Sequence, residues 1–166
     1  EHPLFPVSGM ADPIWGKANL PARYANYQRM IDQGTRMIAS VAAINAWLAR
    51  AAMEYRPTLT AYNIGFDAAK CEQSGINLDT FTERFCLWHA AAHKWGHKRE
   101  FLQMVWDCGA FNNVTQHNNW SYHTNAEIMA RFVLGDRNLP DEPHTAFEDA
   151  RDYELPILAA LVKDTP

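Results

Sequence analysis

Cysteine is scarce in this chain: Cys71, Cys86 and Cys108 are the only three, with no Cys-x-x-Cys pair among them. An odd number at that spacing excludes a disulfide framework and reads as free thiols in a reducing, cytoplasmic setting. No run of about 18 uncharged apolar residues occurs, which argues against a membrane-spanning helix. Basic residues are also in short supply, 15 against 19 acidic, for a formal charge of −4 and a pI near 6.0. That balance argues against an indiscriminate electrostatic binder of nucleic acid, which carries a basic stripe. No internal repeat or low-complexity tract separates one part of the chain from another. The opening residues lack the pattern of a signal peptide, so the sequons at Asn113 and Asn119 read as chance matches.

What remains is a globular composition, 48% hydrophobic with 12% aromatic over 166 residues, enough for one domain spanning 1–166 with a real core. Prolines at positions 3, 6 and 13 keep the first residues from forming a helix. A helix is expected from about Pro21 to Asp32, stopped by Gly34. A stronger one follows from Ser40 as its cap, with Val41, Ile44, Leu48, Ala51, Ala52 and Tyr55 at helical spacing until Arg56-Pro57. Thr58 to Tyr62 is a β-prone run that turns at Asn63 and Gly65 into a helix carrying Phe66, Asp67 and Cys71. Phe85 to Trp88 reads as a second short strand before a histidine-bearing helix to about residue 95. Arg99 to Cys108 forms another helix closed by Gly109, and Asn112 to Trp120 a polar loop. Thr124-Asn125-Ala126-Glu127 and Thr145-Ala146-Phe147-Glu148 both have capping-box spacing. The first opens a helix to about Leu134 with Gly135 past its end. The second opens a final helix whose Ala146, Ala150, Tyr153, Ile157 and Leu161 mark one face and which Pro156 must kink.

Two stretches carry the chemistry. In His144-Thr145-Ala146-Phe147-Glu148-Asp149, Thr145 as cap leaves His144 just outside the helix and Asp149 about one turn inside, near its positive end. A base able to activate water then sits beside a carboxylate able to hold a metal. In Asn63-Ile64-Gly65-Phe66-Asp67, the amide and the carboxylate are four apart across a turn, brought toward one side of the helix that begins there. Taken singly, each stretch is ordinary: an exposed loop histidine with a dipole-compensating acid, and local capping at a strand end. Their joint occurrence is what points to a site.

The residues from Asn63 to Asp67 resemble the second signature of DnaQ-like 3'-5' exonucleases, and His144 to Asp149 match their HxAxxD third signature. The run from Phe85 through Thr124-Glu127 to Arg131-Asp136 is similar in order and spacing to phage-type members related to exonuclease VIII. This resemblance implies a ribonuclease H-like α/β fold and hydrolysis of phosphodiester bonds at a single-stranded DNA or RNA 3' end. Two divalent cations, Mg²⁺ or Mn²⁺, would serve a water nucleophile. It implies His144 as general base, Asp149 as a direct metal ligand, Asp67 as a carboxylate of the second metal's shell, and Asn63 and Phe66 as residues that support the site or pack near the terminal nucleotide.

The chain departs from that pattern in its first signature, Asp-x-Glu on a leading strand. The only Asp-x-Glu is Asp152-Tyr153-Glu154, within the final helix. The expected fold is therefore helix-rich with a small sheet, lacking the leading strands, with an exposed sheet edge that invites a partner or a second copy. Two carboxylates fewer means weak or absent activity, and a non-catalytic, nuclease-derived binding or structural protein is the alternative. His89, His93 and His97, four apart and following Cys86, would form a stripe with zinc-binding potential only if one helix ran through all three. Trp120 and Tyr122 are candidate base-stacking residues and Trp47 lies beside an apolar stripe. Lys94, Lys98, Arg99 and Arg131 are candidate phosphate contacts.

Overall fold

The computed structural model describes residues 25–113, 120–143 and 145–163. By compactness the chain forms two units, one of residues 1–57 with 68–82 and the other of 58–67 with 83–166.

In the first unit, residues 25–32 are helical (α1) and Gly34 follows with φ +69°, the left-handed conformation that ends helices at low cost in glycine. The expected start of this helix, near Pro21, lies outside the described residues. Helix α2 (Val41–Tyr55) begins where the sequence places it, the Ser40 hydroxyl accepting the Ala43 N–H at 3.2 Å, and ends as Arg56 turns left-handed before Pro57. Asn45 on α2 exchanges hydrogen bonds with the chain beyond Gly75: its amide donates to the Gly75 carbonyl and accepts the Asn77 N–H. The apolar stripe of α2 is not a core: only Ala52 is buried, while Tyr55 and Trp47 are 70% and 60% exposed. Helical period is thus present without a described element covering it.

The second unit opens with β1 (Leu59–Ala61), the start of α3 (Ile64–Gln73), and β2 (Arg84–Cys86), which pairs parallel to β1 with Leu59 opposite Arg84. Parallel strands need a crossover, and α3 lies within it. Leu87 and Trp88, assigned from sequence to the second strand, instead begin α4 (Leu87–Trp95). Helix α5 (Arg99–Asp107) ends at Gly109, φ +64°. The segment read as polar loop contains an antiparallel pair, β3 (Phe111–Asn113) and β4 (Trp120–Tyr122), with Phe111 opposite Tyr122. Asparagines are poor strand formers, and no two-residue turn signal joins the strands, so periodicity gave no warning.

Helix α6 (Ala126–Leu134) is capped one residue later than the box spacing implies: the Asn125 side chain accepts the Ile128 N–H at 3.2 Å. Thr124 is thereby released for other contacts. Helix α7 (Ala146–Asp149) runs without interruption into a π turn over Ala150–Glu154 and then α8 (Leu155–Lys163). Thr145 precedes α7, but its buried hydroxyl makes no cap bond and has no partner among the described residues, so the second capping box does not form. Pro156 does not break the helix. A proline lacks the N–H that would bond four residues back and its ring crowds that carbonyl. The turn just before it is widened, with the Leu155 N–H reaching back to Ala150.

The core of this unit gathers Ala91 and Trp95 of α4, Phe101, Met104 and Val105 of α5, Ile128, Met129 and Ala130 of α6, and Tyr153 and Ile157 of the last helix. Phe101 meets Phe132 edge-on at 5.3 Å between ring centroids, the favoured aromatic geometry. The Lys94 ammonium donates to the Ala160 and Leu161 carbonyls, satisfying acceptors in the last turns of α8. Gly96 ends α4 in a tight turn where an added Cβ would lie 2.5 Å from the Ala92 carbonyl oxygen. The architecture is therefore helix-rich mixed α/β with small sheets, and no described helix is long and apolar enough to cross a membrane.

Phe101, fully buried, should cost about 3–5 kcal/mol when replaced by alanine, whereas Trp47→Ala should fall within about 0.5 kcal/mol of the parent. Urea denaturation of both variants checks the contrast. A comparable loss at both positions would show that α2 is covered. Gly96→Ala should destabilise by about 1–3 kcal/mol, because a backbone carbonyl rather than a flexible side chain opposes the methyl group; thermal melts of the variant read it directly.

Candidate functional site

Tyr62, at the end of β1, ties four segments of the second unit together. Its carbonyl accepts the Trp88 N–H at 2.9 Å and the Cys86 thiol at 3.5 Å. Its hydroxyl donates to the Thr124 carbonyl, and its backbone N–H donates to the Glu154 carboxylate. Burial raises the Tyr62 hydroxyl pKa, with the negative charge of Glu142 and Glu154 adding to the effect. The hydroxyl therefore stays protonated, as a donor requires.

Asn63 follows at the start of α3, where its carbonyl accepts the Phe66 and Asp67 N–H groups and its side-chain oxygen lies 3.4 Å from the Phe66 nitrogen, a weak cap. Phe66 is 53% exposed. Asp67 is an exposed residue whose carboxyl is nonetheless partly desolvated, which raises its pKa. Backbone N–H donors of Asn63 and Asp67 itself oppose that rise.

Around this strand end collect carboxylates from well-separated parts of the sequence. Glu142 is raised from 4.5 to about 7, first by burial and then by the charges of Asp149, Glu127, Glu154 and Asp67. Glu154 is raised by burial and by Asp67 and Asp149, against the lowering effect of the Tyr62 N–H. Asp67 and Asp149, 82 positions apart, thus act on the same two glutamates, so the fold brings these two expected residues to one acidic cluster. His144, the expected base, lies outside the described residues.

Three members of the cluster were not anticipated as site residues. Glu127 appears in sequence as a capping-box acid, but its carboxylate instead accepts the Glu142 N–H at 2.8 Å. Glu142 sits in the proline-containing loop before the third signature, where nothing about its spacing marks it. That loop is fixed from three sides: Arg131 donates to the Leu139 carbonyl and to Asp141, Tyr153 donates to the Pro140 carbonyl, and Glu127 holds Glu142. Glu154 belongs to the Asp-x-Glu set aside as misplaced. In a regular α-helix a residue five beyond Asp149 is rotated by about 140° from it, but a π turn closes on i→i+5 bonds and returns it toward the same side. Asp152 points its charge elsewhere, into a 2.6 Å pair with Arg151.

Beside the cluster, Tyr62, Asn63, Trp88, Thr124 and Asn125 line a cleft of about 280 Å³. Of the expected phosphate contacts, Arg131 and Lys94 are occupied in the internal bonds described above. Tyr122 is 43% exposed with its ring edge on Phe101, and the Trp120 side chain lies outside the described set. The imidazole stripe does not persist, since α4 stops at Trp95 and His97 falls beyond its cap.

Carboxylates are the donors that hard cations such as Mg²⁺ and Mn²⁺ prefer, and mutual repulsion at such a cluster is what a bound cation relieves. The donor chemistry fits. Among the described residues, however, no three His, Cys, Asp or Glu side chains are already disposed to hold a single ion.

Because Glu142 has a folded pKa above its ordinary value, the native state holds its proton more tightly than the unfolded chain does. Its contribution to stability is complete below about pH 4.5 and is lost as pH rises through about 7. Asp67 and Glu154 shift in the same direction. In EDTA, the melting temperature should fall between pH 5 and pH 8, and Glu142→Gln should flatten the decline. A melting temperature that rises over this window, or a decline unchanged in the variant, would contradict the cluster.

Comparison with protein-family models, with curated proteins and with solved structures finds no match to this chain.

Proposed function

We propose that the chain is a nuclease-type domain, derived from the ribonuclease H-like fold, that hydrolyses phosphodiester bonds at the 3' end of single-stranded DNA or RNA with Mg²⁺ or Mn²⁺. The observation that carries this reading is the gathering of Asp67, Glu142, Asp149 and Glu154 near one strand end, where burial first and the neighbouring acids second raise Glu142 to about 7. Structural ion clusters normally alternate sign. An all-acid cluster with a strongly shifted member instead marks a functional site.

Asp67 and Asp149 would hold the cations, with Glu154 and Glu142 as the acids nearest to replace the missing first signature. Bound there, divalent cations would supply charge stabilisation to the reacting phosphate and acidify an attacking water. His144 would accept the water's proton. Glu142 titrates close to neutrality and is the described group best matched to proton exchange at working pH. Asn63 and Phe66 would meet the terminal nucleotide. The helix-rich scaffold with a parallel β1–β2 pair crossed by α3 is compatible with this ancestry.

A second reading has its own support: a non-catalytic descendant of such a nuclease, favoured because the only Asp-x-Glu in the sequence lies in the final helix. Activity is therefore expected to be slow. With 5'-labelled single-stranded DNA and RNA and millimolar Mn²⁺, mononucleotides should leave the 3' end slowly and stop leaving in EDTA. Asp67→Asn and Asp149→Asn should each reduce the rate to background. If the parent protein releases nothing and Mn²⁺ leaves its melting temperature unchanged, the non-catalytic reading replaces the first.

A further inference from the structure

We infer that the cavity between the end of α5 and the loop leading to Glu142 is a binding site for a small molecule bearing a phosphate or similar oxyanion. Its volume is about 490 Å³, against about 280 Å³ for the cleft beside the carboxylates, and it lies entirely within the second unit. Asp107 comes from the last turn of α5 and Arg131 from the last turn of α6, while the segment from Arg137 to Asp141 forms the facing wall.

The two cations of this wall meet a ligand with donors to spare. Arg131 uses its Nε on the Leu139 carbonyl and one terminal nitrogen on Asp141, and Arg137 uses one terminal nitrogen on Asp107 at 2.9 Å. The other terminal nitrogen of Arg131, and the Nε and other terminal nitrogen of Arg137, have no hydrogen-bond partner among the described residues. A guanidinium presents its five N–H donors in a planar fork that matches the paired oxygens of a phosphate or carboxylate.

Two acids share the cavity, and neither closes it to an anion. Asp107 is engaged at both oxygens, by the Gln103 amide at 2.8 Å and by Arg137. Asp141 is 83% exposed at its side chain and touches Arg131 through one oxygen at 2.7 Å. So exposed an ion pair is weak, and a doubly charged oxyanion shared by two guanidiniums displaces it. Asp141 in effect occupies on Arg131 the place of a ligand oxygen. The volume falls within the range of roughly 300–1,000 Å³ typical of small-molecule sites, more than a bare ion fills. An organic group fits beside the anion, against Leu139.

Position ties this cavity to the carboxylate cluster. Asp141, at one end of its wall, immediately precedes Glu142, whose N–H is held by Glu127. A ligand joining Arg131 to Arg137 adds a further tie to a loop already anchored through the Leu139 and Pro140 carbonyls. Occupancy therefore steadies the backbone that presents Glu142, and any effect of the ligand on cation binding at the cluster is matched by an equal effect in return.

The test titrates inorganic phosphate into the full 166-residue chain at an ionic strength held constant with chloride, in EDTA so that no cation at the carboxylates recruits it. Calorimetry should show one saturable site. The backbone amide signals of Asn138 and Leu139 should move with the same affinity while that of Asn77, in the first unit, stays fixed. Arg137→Ala, at an exposed position outside the core, should weaken binding roughly tenfold. Asp141→Asn removes the competing charge and should tighten binding roughly threefold, whereas Asp79→Asn, an equal change of charge in the first unit, should leave it unaltered. The inference is overturned if phosphate fails to saturate, if folded Arg137→Ala binds as tightly as the parent, or if Asp141→Asn does no more than Asp79→Asn. Displacement of phosphate by a short oligonucleotide without terminal phosphates also overturns it, by giving the cavity to a strand backbone. Binding in EDTA does not depend on hydrolysis. A protein that takes up phosphate here and cleaves nothing loses the proposed function and keeps the site, and an active nuclease that takes up none keeps the function and loses the site.

Discussion

The hydrogen bonds of Tyr62 are the constraint on which the rest of the second unit depends. Through one residue the end of β1 is joined to α4 by its carbonyl, to the residues before α6 by its hydroxyl, and to the π turn by its N–H. Buried backbone and hydroxyl groups are costly to leave unpaired, so these bonds fix the relative placement of elements far apart in sequence. The carboxylate cluster and the aromatic cleft both take their positions from that junction. A short strand of three residues could not organise so much by pairing with β2 alone.

Holding like charges together works against folding, and the molecule shows where the opposition comes from. The loop bearing Glu142 is tied down by Arg131, Tyr153 and Glu127, and Tyr153 and Ile157 anchor the last helix in the core. The Tyr153 bond and the core packing do not depend on the charge of the cluster. Glu142 responds most because it is partly removed from water, and the charges of four other acids add to the rise in its pKa, so proton uptake relieves both. The cluster is in this way held largely by tyrosine, arginine and apolar contacts around it.

Much of this was legible in the sequence where local chemistry decides the outcome. Ser40, the glycines at 34, 109 and 135, and the β-prone run before Asn63 act as expected, because capping and left-handed turns depend on neighbours within a few residues. The pairing of Asp67 with Asp149 in one cluster was legible only from the two stretches taken together. What escaped has identifiable causes. The apolar period of α2 reports helicity but not which element, if any, covers it. Asn125 outcompetes Thr124 as cap by one position, a difference within the uncertainty of helix boundaries. The β3–β4 pair, built on asparagine-rich chain, carries no period at all. Glu142 and Glu127 owe their roles to a loop anchored through tertiary bonds.

Glu154 is the most instructive of these residues. Its Asp-x-Glu lies inside the final helix rather than on a leading strand, and regular helical geometry would turn it away from Asp149. Pro156 removes the premise. Two residues after Glu154 it denies the helix an N–H donor and crowds the carbonyl of Asp152, and the backbone answers by widening the preceding turn, with Leu155 bonding five residues back to Ala150. The extra residue in that turn carries Glu154 round toward Asp149 and within reach of the Tyr62 N–H. π turns are uncommon and recur at functional sites because a widened ladder is stable only where other contacts hold it. Here those contacts are the buried Tyr153 ring, its bond to Pro140, and the core position of Ile157. A proline expected to kink the helix thus adds a carboxylate to the cluster.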